Sequence, residues 1–409
     1  MYKNYQPTKT YEIHPVSIKL IQKGHPWVTN DKFSEKFQQS DPFIIASNRG
    51  KSLALLLHDP THKQVRARVW SSTGDFQKQL KSFKNDLANR IRTSIKKRVS
   101  TDYTKDRNHY YLIFGEGDLI PGIFVQYLNG EILVQFYMDF WSNYKDYFIQ
   151  MLTEAINDEL KLNIKLENVW FQQRTNSKEK AISSDKNILS KDLEVEEFGV
   201  NYKVTLGKYY DHGIYTDMAS IRNKIRTPLT KSKSVLNLFS YTGAFSLFAM
   251  KLGVDSVCSV DLSEKYIRWL NENLALNDDL DEKKHESMIT STQSALRKFK
   301  IEERKFDFII SDPPSSSSDG KKRTNALNDY KEFLPQIYHL LERGGHTLIF
   351  INTHKVTMKK FEDRMKQIME NKNLNFSIIG KYNLAEDCPN KKGFPEGSYL
   401  KGMLLKKND

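Results

Sequence analysis

One glycine and two carboxylates are the residues whose types and spacing suggest chemistry. The glycine is Gly243, in Val235-Leu-Asn-Leu-Phe-Ser-Tyr-Thr-Gly-Ala-Phe-Ser246, which reads as a buried strand breaking into a helix. The first carboxylate, Asp261, ends a second apolar run, Ser256-Val-Cys-Ser-Val-Asp261. Positions 243 and 261 are 18 apart, close to the spacing of about 20 in a nucleotide-type βαβ unit. Lacking a Cβ, Gly243 permits a tight turn and lets a ligand approach the amides at the helix start. Asp261, at the end of the next strand, can accept both hydroxyls of a ribose. There is one glycine rather than three, and no Lys-Ser/Thr pair follows, which argues against a pyrophosphate loop. The implied ligand contains a nucleoside but needs no diphosphate. S-adenosylmethionine (SAM) fits. An ordinary parallel-sheet turn without a ligand is the plainer reading of these residues alone.

The second carboxylate is Asp312, delivered by the strand Phe306-Asp-Phe-Ile-Ile-Ser311 into Asp312-Pro-Pro314. Two prolines fix φ and hold the preceding residues extended, so the loop is rigid. A rigid acceptor at the carboxyl edge of an open sheet can orient a nitrogen-bearing base beside a methyl donor. Lys321-Lys322-Arg323 follow directly after a Ser-rich stretch. Such a basic loop could clamp an RNA backbone, though a plain surface loop has the same composition.

These groups need a scaffold, and the pattern supplies one. From about residue 191 strand and helix signals alternate, with strands at Val235–Phe239, Val257–Asp261, Ser287–Thr290, Phe306–Asp312 and His346–Asn352. That is an α/β, Rossmann-like domain over 191–409. Ser263 is placed to cap a helix with a Tyr266, Ile267, Leu270, Leu274 stripe. Leu327 to Leu341 reads as another helix, kinked by Pro335 and ended by Gly344. Residues 1–72 read as short strands, including Ile18 to Ile21, forming a small β domain. Its Val65-Arg-Ala-Arg-Val69 run puts both arginines on one face. Residues 73–190 read as a central α/β domain with a long helix from Phe76 to Ile95, a hairpin at Asn129-Gly130 and a basic cluster at Lys96-Lys97-Arg98.

Composition sets limits. The chain has 409 residues, room for two or three domains, and a formal net charge of +13 from 63 basic and 50 acidic residues. That surplus favours a polyanionic partner. Two cysteines are too few for a disulfide framework or a zinc site, and no histidine spacing fits a metal, so no metal is expected. No run of 18 apolar residues and no signal-peptide pattern occur, so a cytoplasmic location without membrane contact is expected.

Asn237-Leu-Phe-Ser-Tyr-Thr-Gly243, Val260-Asp261, Ser311-Asp-Pro-Pro314 and Pro395-Glu-Gly397 with Tyr399-Leu-Lys-Gly402 resemble the bacterial 23S rRNA large-subunit methyltransferases that carry a PUA domain. Gly24-His-Pro-Trp27 is similar to the start of that PUA domain, and Gly115-Glu116, Asp118 and Pro121-Gly122 to the central domain. The resemblance spans nearly the whole chain in order. It implies a PUA-like RNA-binding domain, a central α/β domain and a class I SAM domain. It also implies SAM as cofactor and 23S rRNA or a large-subunit precursor as partner, with a homodimer left open. Family SAM contacts map to Ser240, Tyr241, Thr242, Gly243, Ala244, Asp261 and Asp312. The family's Gly-x-Tyr-x-Asp segment matches Gly213-Ile-Tyr-Thr-Asp217, with Arg222 just after.

The departures bear on the reaction. Ser291-Thr292 stands where many relatives have an acidic residue for adenine, which leaves Thr292 or backbone for that contact. Ala219 and Ser316 replace a common Arg and Phe. The cytosine-C5 members carry a Cys after the fifth strand, because pyrimidine C5 becomes nucleophilic only once a thiolate adds to C6. Here that region is Phe350-Ile-Asn-Thr-His-Lys355. Cys258 reads as core, and Cys388 is the one candidate for a hidden nucleophile. Guanine N7 carries its own lone pair and needs only positioning. The guanine-N7 branch has an Asn-rich segment similar to Asn352-Thr-His-Lys355. The expectation is therefore a guanine-N7 methyltransferase. Asp312 and Asn352 position the base, with Pro313, Pro314, Lys355, Lys321, Lys322 and Arg323 toward the RNA and Asp217 toward SAM. A Cys388-dependent cytosine-C5 enzyme, a non-catalytic RNA-binding protein with a relict fold and a small-molecule methyltransferase are the rival readings.

Overall fold

The computed structural model describes residues 8–99, 105–175, 179–314, 316–318 and 323–408. Two compact units emerge. One comprises Met1–Lys191, Thr205–His212 and Asp387–Gly397, and the other Asp192–Val204, Gly213–Glu386 and Ser398–Asp409.

The first unit holds two five-stranded sheets. One comprises β1 (Thr10–Glu12), β2 (Trp27–Thr29), β3 (Phe43–Asn48), β4 (Lys51–His58) and β5 (Val65–Ser71), in the order β1-β3-β4-β5-β2. The other comprises β6 (His109–Phe114), β7 (Ile123–Leu128), β8 (Glu131–Phe136), β9 (Val169–Gln173) and β10 (Ile182–Ser183), in the order β10-β9-β8-β7-β6. The β7–β8 hairpin turns at Asn129 and Gly130, with φ 44° and 95°, the two positive values that a two-residue type I′ turn requires. The boundary expected near residue 72 falls between the two sheets; the first sheet packs one face on its own cluster of Ile13, Ile18, Ile44, Leu56 and Val69 and shares the other with the second sheet. Phe43, Leu55, Leu57 and Trp70 share one buried cluster with Ile113, Val125 and Val134.

Three expectations fail in this unit. Ile18 to Ile21 lies in helix α1 (Pro15–Gln22), not in a strand. Pro15 opens the helix and His14 Nδ1 accepts from Val16 N at 3.1 Å, a start signal that outweighs the β-branched residues. The Phe76–Ile95 helix is two, α2 (Phe76–Lys81) and α3 (Phe83–Val99). The basic face is not basic surface. Arg68 is buried and pairs with Glu116, while Arg98 is buried against Asp118 at 2.6 Å. Lys96 stays exposed, and it faces Glu159 on α4 (Lys145–Leu160) at 3.4 Å.

Strands β11 (Lys191–Glu197) and β12 (Val200–Leu206) pair with each other. Short helices α5 (Ala219–Lys224) and α6 (Arg226–Thr230) lead into the main sheet of the second unit. That sheet uses β13 (Ser234–Leu238), β14 (Ser256–Asp261), β15 (His285–Ile289) and β16 (Phe306–Ser311). A short pair, β17 (Ser316–Ser318) and β18 (Arg323–Asn325), follows. The main sheet is completed by β19 (Leu341–Asn352), β20 (Phe376–Tyr382) and β21 (Leu400–Lys407). Its order is β15-β14-β13-β16-β19-β21-β20. The first five strands run parallel, while β21 runs antiparallel to both β19 and β20. Helices α7 (Ala244–Lys251), α8 (Glu264–Ala275), α9 (Thr292–Ile301), α10 (Ala326–Leu340) and α11 (Met358–Asn371) connect the strands. The α/β expectation holds, with the first four strand positions shifted by no more than about two residues. Two strands, β20 and β21, were not anticipated. Gly344, expected just past a helix, lies inside β19 with φ 71°.

Candidate functional site

Strand order reverses between β13 and β16, the topological switch point where open α/β sheets bind ligands. A cleft of about 640 Å³ opens at the carboxyl ends of these strands, within the range of about 300–1,000 Å³ usual for small-molecule sites. Each strand end contributes. Phe239, Ser240 and Tyr241 follow β13, Asp261 and Leu262 end β14, Ser291 to Gln293 follow β15, Asp312 to Pro314 follow β16 and Asn352 ends β19.

The loop between β13 and α7 is strained in a useful way. Phe239 and Tyr241 have φ of 59° and 51°, values that cost a bulky residue about 1–3 kcal/mol and persist only where the surroundings enforce them. The surroundings are visible. Tyr241 N donates to Asp261 Oδ2 at 2.9 Å, and Gly213 N donates to Tyr241 Oη at 3.2 Å. Thr242 Oγ1 donates to Gly213 O at 2.5 Å. Gly243 has φ 85°, and a Cβ there would lie 2.5 Å from Leu270 Cγ, so no other residue fits. Ser240, Tyr241 and Ala244 line the cleft, whereas Thr242 and Gly243 do not. The last two shape the loop.

The residues present suit a nucleoside-containing ligand. Asp261 also accepts Ser263 N at 2.8 Å, which leaves carboxylate lone pairs for a ribose. Burial raises its pKa, opposed by those backbone donors. Ser240 Oγ is buried without a protein partner and lines the cleft, an orphan hydroxyl awaiting one. Ser291 caps α9, its side chain accepting from Ser294 N. Thr292 and Gln293 also line the cleft, and Gln293 supplies an amide that the sequence reading missed.

Asp217 lines the same cleft, its Oδ2 accepting from Tyr399 Oη at 2.5 Å. Burial, followed by the Asp217 charge, pushes Asp312 up to about 7. Arg222 lies in the lining at 1% exposure, its charge met by buried Glu197. Tyr330 on α10 is a further residue that sequence reasoning missed. Its hydroxyl sits 2.9 Å from Ser311 O and 2.8 Å from Phe350 O, and accepts from Phe350 N at 3.0 Å. It bridges β16 and β19 near the strand ends that carry Asp312 and Asn352. No single-residue motif flags a tyrosine for that task.

The remaining expected residues separate. Pro313 and Pro314 line the cleft, while exposed Lys355 does not. Lys321 and Lys322 lie outside the described residues, as does the side chain of Arg323. Cys258 is core, its thiol pushed up to about 12 chiefly by burial. Cys388, in the first unit, is 4% exposed. Residues of Gly24-His-Pro-Trp27 and of Gly115-Glu116 make hydrogen bonds within the first unit. His25 Nε2 lies 3.0 Å from Glu396 Oε2, and Trp27 Nε1 donates to Glu116 at 2.8 Å. Among the described residues no cluster of His, Cys, Asp or Glu could hold a metal ion, and no helix is long and apolar enough to cross a membrane.

Residues 169–370 match the family model of S-adenosylmethionine-dependent methyltransferases. The chain is a class I S-adenosylmethionine-dependent methyltransferase. It is similar to a putative ribosomal RNA large subunit methyltransferase of Bacillus subtilis, 28% identical over 95% of this chain and 96% of that one. It is also similar to ribosomal RNA large subunit methyltransferase I of Alteromonas mediterranea, 24% identical over 97% and 98%. Among solved structures, a putative SAM-dependent methyltransferase from Streptococcus mutans superposes with a TM-score of 0.83, at 19% identity, covering 97% of this chain and 99% of that one. A putative methyltransferase complexed with S-adenosylhomocysteine gives 0.85 at 18% identity over the same shares. These two establish the fold, and SAM is the cofactor of this methyltransferase.

Proposed function

We propose that the enzyme methylates a guanine N7 of 23S ribosomal RNA, in the cytoplasm, on the rRNA or a large-subunit precursor. The large-subunit rRNA relatives along the whole chain supply the substrate class. The observation that carries the choice of atom is the lining itself: among the described residues it holds acceptors and aromatic surface but no thiol. Without a thiolate, pyrimidine C5 has no route to activation, whereas a ring nitrogen uses its own lone pair.

In this reading Ser240, Tyr241, Ala244 and Asp261 hold the nucleoside end of the donor, with Thr292 and Gln293 toward the adenine and Asp217 toward the methionine end. SAM supplies an electrophilic methyl group on a sulfonium. Asp312, held by Pro313 and Pro314, and Asn352 orient the guanine edge. Lys355 and the segment from Lys321 to Arg323 meet the RNA backbone. The PUA-like and central sheets add further RNA grip. The rate gain comes from orientation and exclusion of water, so no residue need act as general base.

The test is nucleoside mass spectrometry of 23S rRNA from cells with and without the gene. Loss of one 7-methylguanosine is expected. Loss of a 5-methylcytidine would overturn the choice of atom, and no change at all would overturn the substrate.

A further inference from the structure

The cleft is acidic in a basic protein. Asp217, Asp261, Asp312, Asp329 and Glu332 all line it, while the chain as a whole carries +13. Arg222 is the one cationic side chain in that lining among the described residues, and Glu197 takes up its charge. The orphan hydroxyl of Ser240, 5% exposed in the same lining, marks the cleft as a ligand site independently of its charge. Asp312, raised to about 7 by burial and then by Asp217, feels the same negative surroundings.

Two of the five carboxylates have no place in donor binding as read above. Asp329 and Glu332 belong to α10, where positions 329, 332 and 333 share one helix face with the lining residue Phe333. Phosphates are repelled by such a surface, whereas an uncharged base is not. In attack by guanine N7, the N7 lone pair forms the new N–CH3 bond and the pair of the broken S–CH3 bond stays on sulfur. One unit of positive charge passes from the donor to the guanine ring, and no proton is released. Fixed carboxylates beside the ring stabilise that arriving charge. Activation of a cytosine carbon requires addition of a thiolate to C6, which brings negative charge onto the ring, and the same carboxylates disfavour that.

We propose that Asp329 and Glu332 are charge-stabilising residues of the transfer: they exclude phosphates from the cleft and hold the positive charge that develops on the methylated base. The inference rests on the guanine-N7 reading.

The test uses the full chain with Glu332→Gln, Asp329→Asn, the double variant and Glu332→Asp. In the first arm, 7-methylguanosine and guanosine are titrated by NMR into protein saturated with S-adenosylhomocysteine, at about pH 6, where the methylated base is cationic. The wild type should prefer the cation by about tenfold, the double variant should lose the preference, and Glu332→Asp should keep it. In the second arm, turnover on 23S rRNA from the gene-deleted strain should fall about tenfold per charge removed, with SAM affinity by calorimetry unchanged. Equal wild-type affinity for the two nucleosides, or a double variant that keeps preference and turnover, overturns the proposal. If neither nucleoside binds measurably, the turnover arm decides alone. A wild-type product of 5-methylcytidine instead sinks the N7 reading, and the mass spectrum shows that without any variant.

Discussion

Asp312 trades stability for chemistry. Its carboxyl ordinarily titrates near 3.8 and is raised to about 7 in the folded protein. Below pH 3.8 both states are protonated, and the group costs nothing. Between about 4 and 7 the native state holds a proton that the unfolded chain has lost, so stability from this group declines as pH rises. Above 7 the carboxylate is ionised in the fold and the full cost is present. Asp312→Asn should therefore raise Tm at pH 8, by about 2–4 °C, and by less at pH 5, while lowering turnover on RNA. Thermal scans of the ligand-free protein at the two pH values check the sign; an equal shift at both would refute the assignment. Gly243 makes the opposite kind of case. Gly243→Ala forces a Cβ to 2.5 Å from Leu270 at φ 85°. SAM affinity by calorimetry should drop about tenfold or more, because a loop displaced by an ångström misplaces Ser240 and Tyr241 together. Gly243 and Asp312 were legible because backbone chemistry restricts both: only glycine suits that turn, and only prolines make that loop rigid. Gln293 and Asp329 were not, since nothing in their local sequence distinguishes a cleft residue from a helix surface.

At the scale of elements, the least legible part is the antiparallel end of the sheet. β20 and β21 flank a segment, Asp387–Gly397, that belongs to the other compact unit, so no local βαβ rhythm announces them. Yet β21 fixes the end of β19. Thr353 N donates to Tyr399 O at 2.9 Å, and Lys401 Nζ donates to Thr353 O at 2.6 Å and Tyr399 O at 3.3 Å. Lys401 is 2% exposed, and burial lowers its pKa to about 8. A buried ammonium is retained at such a cost when it satisfies carbonyls that would otherwise be stranded. The Tyr399-Leu-Lys-Gly402 motif thus braces two cleft residues, Asn352 through Lys401 and Asp217 through the Tyr399 hydroxyl. Lys401→Met should speed amide exchange at Thr353 while Leu348–Ile351 stays protected, and should lower kcat on RNA more than it weakens SAM binding. Lys401→Arg should restore part of both. Unchanged exchange in Lys401→Met would show the contact to be dispensable. The strand expected at Ile18 to Ile21 failed for a related reason: the Pro15 helix-start signal is as local as the apolar run, and the two conflict.

At the scale of the whole molecule, charge is divided. The chain carries +13 overall, whereas the cleft carries five carboxylates. The sequence revealed the first number and misplaced its source, since Arg68 and Arg98, taken from basic runs, are buried in ion pairs. Under the proposed function, RNA attraction then comes from dispersed lysines rather than from those arginines. Each phosphate neutralised by a cationic side chain releases a counterion, so affinity for RNA falls steeply as salt rises. The donor is a small molecule with a net charge of only +1, held largely by hydrogen bonds and by a few carboxylates of the cleft, and releases few. Filter binding of 23S rRNA fragments between about 50 and 200 mM salt should therefore weaken by about 100-fold or more, while calorimetric SAM affinity changes by less than about threefold. Arg68→Gln should leave the slope of the RNA curve intact, since its guanidinium already belongs to Glu116, and should instead cost stability of about 3–5 kcal/mol by stranding that buried carboxylate. A slope that falls by one counterion in Arg68→Gln, without loss of stability, would return that arginine to the RNA surface.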